Sequence, residues 1–169
     1  MNRLTTFLVV VALLAGASTA MAGGTADIVF IVDESGSMGG EHAWLGSMIS
    51  ALDSALIGEG ITNNQYALVG FGGGSSHFDP NKHLLGGNDW GDATEFATAA
   101  GTLVTTGGFE DGWNAMDWAL NNYTYRSDAA TQYILVTDED RDNANNLLTY
   151  ANVLASLNNA NITLNAVVN

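Results

Sequence analysis

The amino-acid sequence predicts a single α/β domain, in which a doubly wound, mostly parallel sheet carries helices on both faces. Short, continuously apolar runs alternate with longer stretches whose apolar residues recur at helical spacing. The runs at 28–32 and 133–136 have no polar interruption, which is typical of parallel strands covered on both sides. A chain of 169 residues provides one hydrophobic core and is short for two. Alternating strands and helices then imply right-handed crossovers.

The first half of the chain is predicted to hold three strands and one helix. The strand at 28–32 is followed by apolar residues at helical spacing over 44–56, and Gly58 ends that helix. A second strand is predicted at 66–71, because this apolar run stops at consecutive glycines. The polar stretch that follows has room for a short edge strand around 83–85.

The second half is predicted to hold three helices and two strands. Apolar spacing predicts helices over 93–103 and 110–121, then a buried strand at 133–136. A further helical stripe over 147–157 and a strand at 162–168 complete the pattern. We find neither an internal repeat nor a linker between domains.

The N-terminus has the three-part pattern of a secretory signal peptide. A basic residue precedes an apolar run over 7–14, and small residues lead to the stretch 20–22. We therefore expect a signal peptide at 1–22, cleaved near Ala22, and a domain at 23–169. The apolar run is shorter than the roughly 20 residues that span a bilayer, although a retained anchor is the alternative. The mature chain is expected to be secreted or extracytoplasmic, with no membrane span.

Composition excludes several classes of function. The chain has 18 acidic and 4 basic residues, a formal net charge of −14. Such a chain repels phosphate backbones, which argues against nucleic acid as a partner, and the acidity also favours solubility. The absence of cysteine excludes disulfides, thiolate metal sites and cysteine nucleophiles.

Two predicted strands end in polar loops. Asp33, Ser35 and Ser37 follow the first strand, and Asp138 follows the strand at 133–136. Because parallel strands present their carboxyl ends at one edge of the sheet, these oxygens are expected to converge there. Oxygen-only ligands suit a hard cation such as Mg²⁺ or Mn²⁺, and Ca²⁺ is also compatible. The alternative is an Asp/Ser turn that caps the following helix.

The segment 27–38, with the sequence DIVFIVDESGSM, closely resembles the first strand and DxSxS loop of von Willebrand factor A domains. In that family the loop forms the metal-ion-dependent adhesion site. Asp138 matches the distant aspartate that the family places after its fourth strand. The resemblance extends over 27–168 and implies the Rossmann-like fold of this family.

The resemblance also implies how the site would work. Ser35 and Ser37 would bind the cation directly, while Asp33 and Asp138 would act partly through water. Neutral hydroxyls leave Mg²⁺ under-neutralised, so that a carboxylate from a partner can complete its shell. The implied function is a metal-dependent protein-binding or adhesion module, not an enzyme.

The third metal loop of the family departs from its usual pattern here. The loop resembles 105–112, but Phe109 stands where the family has a threonine. Glu110, Asp111 or Thr106 could substitute as a ligand. An added carboxylate would hold the cation more tightly and weaken its attraction for a partner. Alternatively, the two acidic residues only stabilise the start of a helix.

Domains of this family continue past the fifth strand with a helix, an edge strand and a closing helix. This chain reaches Asn169 directly after the strand predicted at 162–168. We expect the sequence to be incomplete at this end, because the apolar stretch 166–168 would otherwise leave a strand edge prone to pairing. A carboxy-terminal anchor or sorting tail would then lie outside the sequence.

Two other functions are weaker alternatives. The first is a structural surface protein in which the ion only stabilises loops. The second is a metal-assisted hydrolase, but no general base is evident, and Ser35 lies in no nucleophile-elbow pattern. His77 and His83 have no metalloprotease spacing and are interpreted as surface residues.

The alternating acids after the strand at 133–136 resemble the start of an EF-hand loop. The calcium-loop template fails, because Asn143 and Thr149 occupy the positions that require Gly and Glu. Asp140 and Asp142 are therefore expected to be solvated or paired with Arg141.

Overall fold

The computed structural model describes residues 24–168, so the predicted signal peptide at 1–22 lies outside the described part of the chain. The helices, strands and one 3-10 turn follow one another in the order expected of a doubly wound domain. They are β1 (Ala26–Asp33), α1 (Gly39–Gly58), β2 (Gln65–Phe71), a 3-10 turn (Ser75–His77), β3 (Asn81–His83), α2 (Ala93–Ala100), α3 (Gly112–Asn122), β4 (Ala130–Thr137), α4 (Tyr150–Asn159) and β5 (Ile162–Val168).

The five strands form one sheet in the order β3-β2-β1-β4-β5. Strand β1 lies at the centre and pairs in parallel with β2 and β4, and β4 pairs in parallel with β5. Only the short strand β3 is antiparallel, on the edge beside β2. The register sets Asp33 opposite Phe71 and Val32 opposite Val136. The carboxyl ends of β1, β2 and β4 therefore lie at one edge, where the loops that follow them meet.

Both faces of the sheet are covered by helices, which confirms the predicted α/β architecture. Side chains of β1 alternate between the two cores because successive residues of a strand point to opposite faces. Phe30 packs with Leu45 of α1 and Phe96 of α2. Ile31 packs on the other face, where Met116 of α3 belongs to the same core together with residues of α4.

The helix boundaries differ from the predicted ones where side chains cap the ends. The helix predicted from 110 begins at Gly112, because the Asp111 carboxylate accepts the Asn114 amide hydrogen as an N-cap. The helix predicted from 147 begins at Tyr150, after a capping box between Thr149 and Asn152.

Three other predicted boundaries also shift. The helix predicted over 44–56 is longer, Gly39–Gly58, since its first turn has no large apolar side chain from which the spacing could be recognised. The helix predicted over 93–103 ends at Ala100. The edge strand predicted around 83–85 lies at Asn81–His83. Among residues 24–168, no helix is long and apolar enough to cross a membrane.

Candidate metal centre

Asp33, the last residue of β1, is held by the loop that follows it and by the end of β4. Its side chain is fully buried. One carboxylate oxygen, Oδ1, accepts the Ser35 amide hydrogen at 2.8 Å. The other, Oδ2, accepts the Thr137 hydroxyl hydrogen at 2.9 Å. These two bonds fix the carboxylate at the edge where β1 and β4 end.

The loops after β1 and β4 meet through hydroxyl and carboxylate oxygens. Ser37 Oγ donates to Asp138 Oδ1 at 3.1 Å, although the two residues are 101 positions apart. Ser35 Oγ lies 3.1 Å from Ser37 Oγ. Ser35 is buried, Ser37 is exposed and Asp138 is half-buried. The convergence expected from the two strand ends is thus present in the fold.

Glu110 brings a third carboxylate to the same place. Asp33, Glu110 and Asp138 each offer an oxygen that lies within 4.8 Å of the others. Glu110 is 3% exposed, and its Oε2 has no hydrogen-bond partner among the described residues. Its backbone is fixed by Asp142: the Glu110 amide donates to Asp142 Oδ2 at 2.9 Å, and the Asp142 amide donates to the Glu110 carbonyl at 2.7 Å.

The buried carboxylates of this cluster have raised pKa values. Burial, together with the Asp33 carboxylate, raises the pKa of Glu110 to about 7. Burial also raises the pKa of Asp33, and Asp138 adds to the rise. Carboxylates that crowd together out of water favour a bound cation, since it offsets both the burial and the repulsion. Three carboxylates and two hydroxyls, all oxygen donors, fit a hard divalent cation.

The other two candidates for the third loop make different contacts. Asp111 forms a bidentate ion pair with Arg141, with distances of 2.6 and 3.0 Å. Burial alone would raise the pKa of Asp111, but the bonds from Arg141, Asn114 and Asn145 lower it. Thr106 is exposed, and its Oγ1 accepts the Gly74 amide hydrogen. The helix-cap interpretation therefore describes Asp111, while Glu110 joins the oxygen cluster.

Asp142 is exposed, which agrees with the first of the two alternatives expected for it. Its carboxylate is bound to the Glu110 amide and makes no ion pair with Arg141. Arg141 turns instead to Asp111, with its guanidinium 4.4 Å from the centre of the Trp113 ring. Of the two alternatives, the pair with Arg141 is not formed, because Asp142 contacts Glu110 and Arg141 contacts Asp111, both about 30 positions earlier in the chain.

The interpretation of His77 and His83 as surface residues is wrong for His83, which is 6% exposed. Both imidazoles face Glu34, which is fully buried. His77 Nδ1 lies 2.9 Å from Glu34 Oε2, and His83 Nε2 lies 3.2 Å from Glu34 Oε1. Strand alternation could have indicated this arrangement in the sequence. Glu34 directly follows Asp33, so its side chain points away from the oxygen cluster of Asp33, Glu110 and Asp138.

Two exposed aromatic rings stack on each other. Phe78 and Phe109 stack with ring centres 5.3 Å apart and planes 25° apart. They are 46% and 37% exposed. Phe109 directly precedes Glu110, and the Phe78 carbonyl accepts from the amide of Gly72, which lies against Asp33 and Glu110, so the backbones of both residues lie close to the cluster.

Known structures share this fold. Proximal thread matrix protein 1 (PTMP1) from the mussel byssus, solved with a zinc-occupied MIDAS motif, is 15% identical over 87% of this chain and 36% of that chain, with a TM-score of 0.64. The vWF domain of the type V pili tip protein Mfa5 from Porphyromonas gingivalis is 18% identical over 72% and 40%, with a TM-score of 0.53. The conserved hypothetical protein BatB from Bacteroides thetaiotaomicron is 13% identical over 83% and 65%, with a TM-score of 0.57. The chain thus spans less than two thirds of each of these proteins.

The sequence comparisons assign the family. Among curated proteins, none matches the chain significantly. The family model of the von Willebrand factor type A domain matches residues 27–168, which include every strand except the first residue of β1. Together with the five-stranded sheet and its strand-end loops, this match leads to one conclusion: the chain belongs to the von Willebrand factor type A domain family.

Proposed function

We propose that the domain is a secreted binding module, in which a divalent cation of the Mg²⁺ type links the protein to an acidic group on a protein partner. The partial exposure of the oxygen cluster carries this proposal. Asp33, Ser35 and Glu110 are buried, whereas Ser37 is exposed and Asp138 is half-buried. A cation held there would have protein oxygens on one side and solvent on the other.

Each residue has a distinct role in this proposal. Ser35 and Ser37 bind through neutral hydroxyls, and Asp33 and Asp138 supply negative charge, partly through water. Glu110 takes the place of the family's threonine. When bound, the ion supplies positive charge that attracts a carboxylate. Because Mg²⁺ takes six oxygens, the exposed side keeps positions for water, which a partner carboxylate can replace. Mn²⁺ and Ca²⁺ accept the same donors.

The stacked pair Phe78 and Phe109 supports docking of a protein. Partner residues beside the acidic group would cover these rings and remove apolar surface from water. A contact of this kind adds affinity that the ion alone does not give. It also makes binding depend on the shape of the partner, because the rings are held in one stacked arrangement.

We propose a binding role in preference to a catalytic one because of the serine contacts. Ser35 Oγ faces Ser37 Oγ, which donates to Asp138, so neither hydroxyl is paired with a histidine base. Export rests on the N-terminal pattern at 1–22. It agrees with the settings named for two of the similar structures, a byssal matrix and a pilus tip.

A second candidate is a structural surface protein whose ion only stabilises loops. Glu110 is the observation that favours it. Together with Asp33 and Asp138, Glu110 brings the number of negative charges at the site to three, whereas the cation has two positive charges. A site that is negative overall attracts a partner carboxylate less strongly. The two candidates therefore differ in whether an acidic ligand binds once the ion is present.

The first experiment tests whether the site holds an ion. Calorimetric titration with Mg²⁺, Mn²⁺ and Ca²⁺ should give one binding event for the wild type. Asp33→Ala and Ser37→Ala should abolish or strongly weaken it, while the exposed control Asp140→Ala should not. Circular dichroism checks that each variant is folded. Equal heats in wild type and Asp33→Ala would contradict the proposal.

The second experiment separates the two candidates. A short peptide with one glutamate and its glutamine counterpart are tested by fluorescence anisotropy, in Mg²⁺ and in EDTA. The binding module predicts that only the glutamate peptide binds, and only with Mg²⁺. An ion that raises the melting temperature without giving any preference for glutamate would instead support the structural candidate.

A further inference from the structure

The geometry points to a second metal site, for a Zn²⁺-type ion, formed by Glu34, His77 and His83. It is separate from the oxygen cluster and does not depend on the function proposed for that cluster. The three side chains each offer a ligand atom, and these atoms all lie within 4.8 Å of one another. The protein contributes one carboxylate and two imidazoles, so its donor set differs in kind from that of the first site.

The position of Glu34 separates the two sites. Asp33 and Glu34 are neighbours at the end of β1, but their side chains point in opposite directions. Asp33 binds Thr137 at the end of β4, whereas Glu34 faces His83 on β3 and His77 in the turn after β2. The end of β1 thus contributes one carboxylate to each of two different clusters.

The hydrogen bonds of His83 leave one of its nitrogens without a partner. The Thr102 hydroxyl donates to the Ala99 carbonyl at 2.7 Å, and with its hydrogen placed there it accepts from His83 Nδ1 at 2.6 Å. The proton of the neutral ring therefore lies on Nδ1, and Nε2 carries a lone pair.

That lone pair faces the Glu34 carboxylate. His83 Nε2 is buried and has no hydrogen-bond partner among the described residues, although Glu34 Oε1 is 3.2 Å away. Two acceptors that face each other out of water repel unless a proton or a metal ion lies between them, so a metal ion bound here would take the place of the second imidazole proton. The fixed Nδ1–H bond also matches the way in which ligating histidines are oriented in metal sites.

Glu34 and His77 complete a set suited to this ion. The Val104 amide donates to Glu34 Oε1 at 2.8 Å and orients the carboxylate. Ligand atoms of tetrahedral Zn²⁺ lie about 3.3 Å apart, as Zn–N and Zn–O bonds of about 2.0–2.1 Å require. His77 Nδ1 lies 2.9 Å from Glu34 Oε2, and His83 Nε2 lies 3.2 Å from Glu34 Oε1, so each imidazole has one of the two carboxylate oxygens near that distance.

The backbone around the cluster leaves space for these side chains only because it is glycine. A Cβ on Gly70 would lie 2.0 Å from Glu34 Oε2 and 2.7 Å from His83 Nε2. A Cβ on Gly73 would lie 2.6 Å from His77 Cβ. Two imidazoles and one carboxylate select Zn²⁺, Co²⁺ or Ni²⁺ over Mg²⁺ and Ca²⁺. His77 is a quarter exposed, which leaves a solvent side for a fourth ligand such as water.

The test is a Co²⁺ titration of the full chain with Mg²⁺ saturating the first site. We expect visible absorption bands of low-coordinate Co²⁺ that reach a plateau at one equivalent and disappear on addition of Zn²⁺. His77→Ala should weaken Zn²⁺ binding by at least about 100-fold, since even the loss of an outer hydrogen bond costs 10–100-fold. Asp138→Asn, which alters only the first site, should leave the bands unchanged.

Three outcomes would overturn this second site. They are a folded wild type that gives no Co²⁺ bands, a His77→Ala protein that binds as well as the wild type, and loss of the bands in Asp138→Asn. If His77→Ala does not fold, Thr102→Val replaces it. That variant removes the acceptor of His83 Nδ1–H and should weaken Zn²⁺ binding about 10–100-fold. Unchanged binding in Thr102→Val would equally overturn the site.

Discussion

Glu110 has opposite effects on the protein with and without an ion. Its carboxylate is buried beside that of Asp33, and the repulsion between them contributes to its raised pKa. Glu110→Gln should therefore raise the melting temperature in EDTA at pH 8 by removing a buried charge. The same change should lower Mg²⁺ affinity on the order of tenfold, because it removes one charged ligand. Thermal melting and calorimetry measure the two effects, and equal Mg²⁺ affinity in the two proteins would remove Glu110 from the proposed ligands.

Asp111 is predicted to matter for stability and not for the ion. Its bidentate pair with Arg141 is largely buried, with 3% and 17% side-chain exposure. Asp111→Asn leaves the Arg141 charge without its partner, which typically costs about 3–5 kcal/mol of unfolding free energy. Urea denaturation in EDTA measures this loss.

The matched control for that variant is the more exposed ion pair of Lys82 and Asp89. Their side chains are 23% and 44% exposed, so Asp89→Asn should cost less than about 1 kcal/mol. If Asp111→Asn is no more destabilising than Asp89→Asn, the Arg141 pair is not a major support of the loop after β4.

At the scale of the elements, strand β2 has a close contact that the sequence does not reveal. Gly70→Ala would force its new methyl group into the Glu34 carboxylate, which is 2.0 Å from the ideal Cβ position. We expect a loss of about 2 kcal/mol or more in unfolding free energy, because overpacking here also displaces a buried charge. Denaturation curves measure this loss.

The control is Gly58→Ala at the end of α1, where a Cβ meets nothing within 4 Å. Replacing glycine with alanine at a helical position should stabilise the protein by roughly 0.5 kcal/mol. If Gly70→Ala proved as harmless as Gly58→Ala, the packing of Glu34 against β2 would be looser than described.

The strand-end loops are the elements that the sequence predicted best. Their positions follow from the apolar runs that precede them, and parallel pairing brings them together without any further information. The partners of Glu110 and Asp111 were not predictable in this way. Both residues are acidic, adjacent and at a helix start, and only the bends of the chain direct one to the oxygen cluster and the other to Arg141.

At the scale of the whole molecule, buried tyrosines should limit stability at high pH. Burial raises the pKa of Tyr125 to about 12, and it also raises the pKa of Tyr66, Tyr123 and Tyr133. The fold holds the neutral phenols, so their contribution is complete below pH 10 and is lost as the pH rises through about 12. Absorbance at 295 nm and circular dichroism should show ionisation and unfolding together.

Two variants make that prediction specific. Tyr133 is buried and its hydroxyl contacts that of Tyr125, so Tyr133→Phe should change the alkaline transition. Tyr150 is 67% exposed, and Tyr150→Phe should leave the transition where it is. Identical alkaline unfolding in both variants would mean that the buried phenols do not set this limit.

Ion removal should affect the stability of the entire domain, because the oxygen cluster joins the loops after β1 and β4 to the start of α3. An ion present at 100 times its dissociation constant would add about 2.7 kcal/mol to the unfolding free energy. Thermal melts with Mg²⁺ and with EDTA should therefore differ by several degrees, and the Asp33→Ala protein should show no such difference. A melting temperature that EDTA does not change would contradict an ion at this site.

The sequence by itself determined the α/β class, the order of the strands and helices, and the loop oxygens of Asp33, Ser35, Ser37 and Asp138. These features follow from local patterns: apolar periodicity sets the elements, and their alternation sets the parallel sheet. The tertiary structure alone decided which acid of the third loop joins the cluster and that Glu34 meets His77 and His83. The reason is physical. The alternation along β1 separates Glu34 from Asp33, but which distant residues each one meets depends on where the loops cross, and that is not encoded in the spacing of residues along the chain.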